Sequence, residues 1–144
     1  MWLDTRGCSF ARVPVTTTSE ALTRDVRVSV RARYSEQNSD PNARQWVFLY
    51  TVTIKNEGST RVQLLTRHWI ITDANGEVEE VKGPGVVGKQ PTLEPGQSFE
   101  YTSACPLKTP FGSMHGSYQM LGTHGQTFSV QVAGFALRVP GTMQ

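Results

Sequence analysis

Gly83-Pro84-Gly85-Val86-Val87-Gly88 has the spacing GxGxxG. In a strand–turn–helix unit that spacing binds the pyrophosphate of a dinucleotide. The binding depends on a helix N-terminus, whose free N–H groups and positive dipole end face the phosphates. The next residues, Lys89-Gln90-Pro91-Thr92-Leu93-Glu94-Pro95-Gly96, hold two prolines and cannot continue as a helix. Pro84 withdraws one N–H and biases Gly83 away from the α region. Val86 and Val87 prefer extended angles. The motif therefore predicts a solvent-accessible connection between strands, with no nucleotide bound through it. Gly83, Gly85, Val86, Val87, Gly88 and Lys89 remain a candidate surface for a partner, through the two valines, or for an anion held in a nest of N–H groups beside Lys82 or Lys89.

The other reactive side chains are scattered. His68, His115 and His124 have no metal-ligand spacing, so no metal site and no cofactor is expected. Ser113 and His115 fall on one strand face with no acid nearby in sequence, and there is no GxSxG elbow. Cys8 and Cys105 form no CxxC pair; both read as free thiols, Cys105 at least partly buried. Glu77, Glu79 and Glu80 beside a turn read as a solvated edge, and Arg27, Arg31 and Arg33 as a solubilising strand face. His68 and Ile70, with the Val86-Val87 loop, are candidates for an exposed patch that contacts a protein partner.

The elements that must position these residues read as strands. Val26, Val28, Val30, Ala32 and Tyr34 alternate with Arg27, Ser29, Arg31 and Arg33, the period of a half-buried strand. Trp46–Ile54 is apolar on both faces and predicts a central strand with its aromatic side on the core. Val62–Asp73 follows, with Arg67, Trp69 and Ile71 on one face and His68, Ile70 and Thr72 on the other. Asn75-Gly76 predicts a tight turn before a short strand Val78–Lys82. Phe99–Cys105, Met114–Met120 and Phe128–Val139 alternate again, the last with a phase slip that predicts a β-bulge near Ala133-Gly134. Pro106 and Pro110 predict a loop. Residues 1–22 are polar and aperiodic and read as a flexible lead-in with one edge strand around Val13–Thr17. The expected core includes Trp46 and Trp69.

Composition agrees. Sixteen Thr, fifteen Val and three Ile stand against seventeen Ala plus Leu, which argues against a helical bundle. Fourteen Lys and Arg against twelve Asp and Glu leave a net +2, too balanced for a dedicated nucleic-acid binder. No apolar run is long enough for a membrane-spanning helix, and the first residues lack a signal-peptide core, so a cytoplasmic location is expected. The chain of 144 residues suits one all-β domain of about seven strands, a two-sheet antiparallel sandwich of immunoglobulin or fibronectin type III type, with a small barrel as the alternative.

Several motifs in one order resemble bacterial ApaG. They are His68-Trp69-Ile70-Ile71-Thr72-Asp73 with Gly76, Val81 through Pro91, Leu93-Glu94-Pro95-Gly96, Phe99-Glu100-Tyr101, and Gly112-Ser113-Met114-His115-Gly116-Ser117-Tyr118. The resemblance covers residues 18–140, leaving 1–17 as an extension and 141–144 as a tail. It implies a fibronectin type III-like sandwich and no enzymatic activity. Similar domains occur in some F-box proteins and in a polymerase-delta-interacting protein, where they look like protein-interaction modules. The bacterial family is associated with cobalt and magnesium tolerance and is named from its genetic neighbourhood with a diadenosine tetraphosphatase. The resemblance thus implies a non-enzymatic protein-interaction module. The alternative is a regulatory protein of divalent-cation or dinucleoside polyphosphate homeostasis acting through Gly83–Gly88.

Overall fold

A computed structural model describes residues 15–141. It is all-β apart from one 3-10 turn, Pro41–Ala43. In chain order the strands are β1 (Thr16–Thr23), β2 (Val26–Tyr34), β3 (Trp46–Asn56), β4 (Val62–Asp73), β5 (Val78–Pro84), β6 (Thr92–Leu93), β7 (Ser98–Leu107), β8 (Phe111–Leu121) and β9 (Thr127–Arg138). Two antiparallel sheets face each other: β1-β2-β3-β7, and β9-β8-β4-β5 with β6 also paired to β4. This is the expected sandwich, with two more strands than the periodicity predicts. Cys8, Val13 and the tail beyond Gly141 lie outside the described residues.

Alternation builds the core as expected. Val26, Val28, Val30 and Ala32 of β2 face inward, as do Phe48, Tyr50, Val52 and Ile54 of the central β3. They meet Leu64, Trp69, Met114, Tyr118, Met120, Val130 and Leu137 from the second sheet. Trp69 is the hub, with Tyr50, Tyr118 and Phe135 each edge-on to it at 5.4–6.2 Å. Edge-to-face packing of this kind matches the ring quadrupoles. Trp46, expected in the core, is only half-buried at its margin.

Four features correct the sequence reading. The lead-in already contains β1 up to Thr23, and Thr16 and Thr17 belong to the strand, not to an extension. Its inward residues are Thr17, Ser19, Ala21 and Thr23, small and mostly hydroxylated, so no apolar period marks it. Pro106 lies within β7, opposite Val47, and not in a loop. An edge strand tolerates a residue without an N–H. Gly83 and Pro84 close β5 and are not part of the connection after it. Finally, β4 carries an irregularity between Leu64 and Thr66, and the buried side passes from Val62 and Leu64 to Trp69. The anticipated bulge in β9 is present between Val132 and Phe135.

Buried polar groups are bonded where the chain changes sheet. Asn56 is 1% exposed; its Nδ2 donates to Thr60 O (2.8 Å) and Leu93 O (2.9 Å), and its Oδ1 accepts from Gly58 N (2.9 Å). One side chain thereby satisfies the β3–β4 crossover and fastens β6, whose two residues could not hold themselves.

Candidate functional site

The glycine motif folds over the β4 bulge. With Leu65 pushed out of register, its carbonyl accepts from both Gly85 N (2.8 Å) and Gln90 Nε2 (2.9 Å), and Leu64 N donates to Pro91 O (3.0 Å). The residues between β5 and β6 thus continue the bonding of β4 on the side away from β8, beside the bulged Leu65. Their tip is a tight hairpin: Val86 N donates to Lys89 O (2.8 Å) and Lys89 N to Val86 O (2.9 Å). Both central residues have positive φ, Val87 at +42° and Gly88 at +79°, the signature of a type I′ turn.

Each glycine has a separate reason. A Cβ on Gly83 would press on the Arg67 guanidinium, which lies flat over it at 3.0–3.1 Å. A Cβ on Gly85 would stand 2.3 Å from Lys89 O. Gly88 has open space and is needed for its backbone angle alone. The dinucleotide spacing is therefore a structural coincidence of three local demands, and no helix follows it. The N–H groups of Gly85, Val86 and Lys89 are committed within the protein, which removes three donors from any anion nest.

Arg67 joins the loop to the core. Its Nη1 donates to Pro84 O and Gly85 O, both at 3.0 Å. Burial holds the hydroxyls of Tyr50, Tyr101 and Tyr118 above the ordinary tyrosine value of 10.0, and the Arg67 charge opposes that shift in all three. Tyr101 and Tyr118 share a hydrogen bond of 2.5 Å between their hydroxyls. Burial pushes the Cys105 thiol up to about 12, so it stays uncharged and a poor nucleophile.

The structure divides the expected exposed patch. Val86 is 1% exposed and packs into the core of the sandwich. Its surface role is withdrawn. Val87 is 54% exposed at the tip, in a left-handed conformation and not the extended one expected of a β-branched residue. His68 and Ile70 are half-buried on the outer face of the second sheet, and His68 Nε2 lies 3.0 Å from Glu80 Oε2 across the strand pair. Beside them opens a groove of about 560 Å³, lined by Thr66, His68, Lys82, Pro84, Ser117 and Gln119, and reaching Gly83 at the root of the hairpin. His68 and the start of the glycine motif, fifteen residues apart in sequence, thus share one surface. Lys82 lies opposite His68, a neighbour that its place in sequence beside the loop does not reveal. The row Thr66, Gln119 and Ser129 had no sequence signal, since hydroxyls and amides at outward positions are ordinary strand surface.

Two arginines of the outward stripe are held in ion pairs. Arg27 pairs with Glu20 and Glu57, and Arg31 with Glu100.

The ApaG domain model (DUF525) matches residues 36–122. The chain is 53% identical over 119 residues to Protein ApaG of Bordetella pertussis, across 83% of this chain and 91% of that one. The chain belongs to the ApaG family. Protein ApaG of Rhodospirillum centenum is 54% identical over the same length, covering 92% of its own chain. A crystal structure described as the putative ApaA protein from Bordetella pertussis superposes with a TM-score of 0.79 at 53% identity, covering 82% of this chain and 96% of that one. No helix among the described residues is long and apolar enough to cross a membrane.

Proposed function

We propose that this ApaG-family chain is a non-enzymatic module that binds another protein through the Val87 tip and the adjoining outer-face groove. The observation that carries this reading is the state of Val87. A β-branched residue at positive φ is strained, and an exposed one regains nothing by burial in its own fold. Asn in that place would make an Asn-Gly pair, the preferred type I′ sequence. A side chain kept in spite of strain, on a tip anchored from below by Val86 and Arg67, suits insertion into an apolar pocket of a partner. His68, Ile70 and Lys82 supply the polar and apolar margin beside it. The raised Cys105 and tyrosine pKa values support a binding role over a nucleophilic one. A buried free Cys105 suits a reducing, cytoplasmic setting.

The test separates folding from binding. Val87→Asn should raise stability by about 1 kcal/mol through relief of the left-handed strain, and should lose the protein partner in a pull-down from native lysate. Retention of the partner by Val87→Asn and by Ile70→Asp together would refute the reading. Titration with ATP, diadenosine tetraphosphate, Mg²⁺ and Co²⁺, followed by amide shifts at Gly83–Gly88, tests the regulatory alternative. Saturable shifts confined to that loop would favour it.

A further inference from the structure

The two sides of the sandwich differ. On one, β1 and β9 are tied across the sheets: Thr17 Oγ1 donates to Ala136 O, and Gln131 N donates to Thr23 Oγ1 (3.2 Å). On the other, β5 and β7 are sheet edges, with a groove of about 370 Å³ between them.

The ends of the β4–β5 ladder reveal its phase. Asp73 N donates to Glu77 O (3.0 Å), and Gly85 N to Leu65 O (2.8 Å). Odd-numbered residues of β5 therefore exchange bonds with β4, and Val78, Glu80 and Lys82 turn their N–H and C=O groups away from it. Val78 is 61% exposed. On the other face of the strand, Glu79 lies opposite Ile71 and borders the groove, whose apolar walls are Ile71, Pro106 and Leu107. Among the described residues neither Glu77 nor Glu79 makes an ion pair. An inward charge on an edge strand deters indiscriminate pairing. A partner that brings a cation to Glu79 turns the same obstacle into selectivity.

We propose that the free edge of β5 captures an extended segment of another protein by antiparallel strand addition, the segment placing a Lys or Arg opposite Glu79 and an apolar side chain opposite Val81. Main-chain bonds to Val78, Glu80 and Lys82 supply the affinity, and alternate side chains supply the choice of segment. Charge complementarity selects this occupant: Asp73, Glu77 and Glu79 border the groove against Lys108 alone. The facing edge is less suited, since Pro106 cannot donate. The proposal does not depend on the Val87 tip.

The test is a ¹⁵N amide titration of the full chain with a blocked peptide as long as β5, alternating threonine with lysine and valine. A second peptide carries glutamate for lysine. The lysine peptide should shift Val78, Glu80, Lys82 and Leu107 saturably, and Glu79→Lys should weaken it roughly tenfold or more. Glu80→Pro removes one outward N–H and spares the bonds to β4, so it should abolish binding while the remaining spectrum persists. If that variant does not fold, Glu79→Gln gives the charge readout, with weaker binding expected. Absence of shifts at millimolar peptide, equal binding of both peptides, shifts confined to Val87 and His68, or self-association through β5 in sedimentation would each overturn the proposal.

Discussion

Replacing Gly85 with Ala should cost far more than the same change at Gly88, although both have positive φ. At Gly88, φ +79° and open space leave only the left-handed penalty, about 1–2 kcal/mol. At Gly85, φ +63° carries a similar penalty, and the new Cβ would stand 2.3 Å from Lys89 O. Lys89 O accepts the Val86 N–H, so moving it opens the hairpin at a further cost of about 1 kcal/mol. An open hairpin withdraws Val86 from the core, worth about 1.5–2 kcal/mol for a side chain of that size. The sum is about 3.5–5 kcal/mol, a large share of the roughly 5–15 kcal/mol typical of a domain. Urea unfolding followed by tryptophan fluorescence gives both values, with an unchanged slope needed to read them as stability. Equal midpoints for the two variants would refute the account of the motif as three separate local demands.

Trp69→Ala should cost about 3–5 kcal/mol and Trp46→Ala clearly less, since one is the hub of the aromatic core and the other sits at its margin; thermal melts decide it. Asn56→Ala leaves two carbonyls and one N–H without their partner and should destabilise by about 2–4 kcal/mol, with early hydrogen exchange in β6. Stability should fall at alkaline pH. The Cys105 thiol titrates at 9.0 when unfolded and about 12 when folded, so the unfolded chain loses its proton first. Its contribution is whole below pH 9 and at pH 10.5 is reduced by about 2 kcal/mol. Cys105→Ala should flatten the onset of that loss, and an unchanged pH profile would contradict it. Arg67→Met should destabilise by about 1–3 kcal/mol, measured in urea, because Pro84 O and Gly85 O lose their donor.

Period-two alternation in Val26–Tyr34, Trp46–Ile54 and Met114–Met120 was enough to specify strands, facing and a sandwich core, because the pleat sends alternate residues to opposite sides. The phase slip at Ala133-Gly134 announced its bulge for the same reason. Proline geometry alone ruled out a helix after Gly83, since a missing N–H and a fixed φ act locally. β1 was legible only in part, because Thr17, Ser19 and Thr23 face inward without being apolar; what they meet is β9, more than a hundred residues away. The motif's purpose was local only in part. Gly83 is small because Arg67 lies on it, Gly85 because Lys89 folds back on it, and Val86 is buried in the core of the sandwich. The Gly85–Lys89 contact lies within one hairpin, whereas the Arg67–Gly83 contact needs β4 and β5 side by side. The surface depends on such pairing too: His68 meets Lys82 through strand register, and β5 is left an open edge while β1 and β9 are tied on the opposite side. Local chemistry thus determined the elements, and long-range pairing decided which of their residues remain available to a partner.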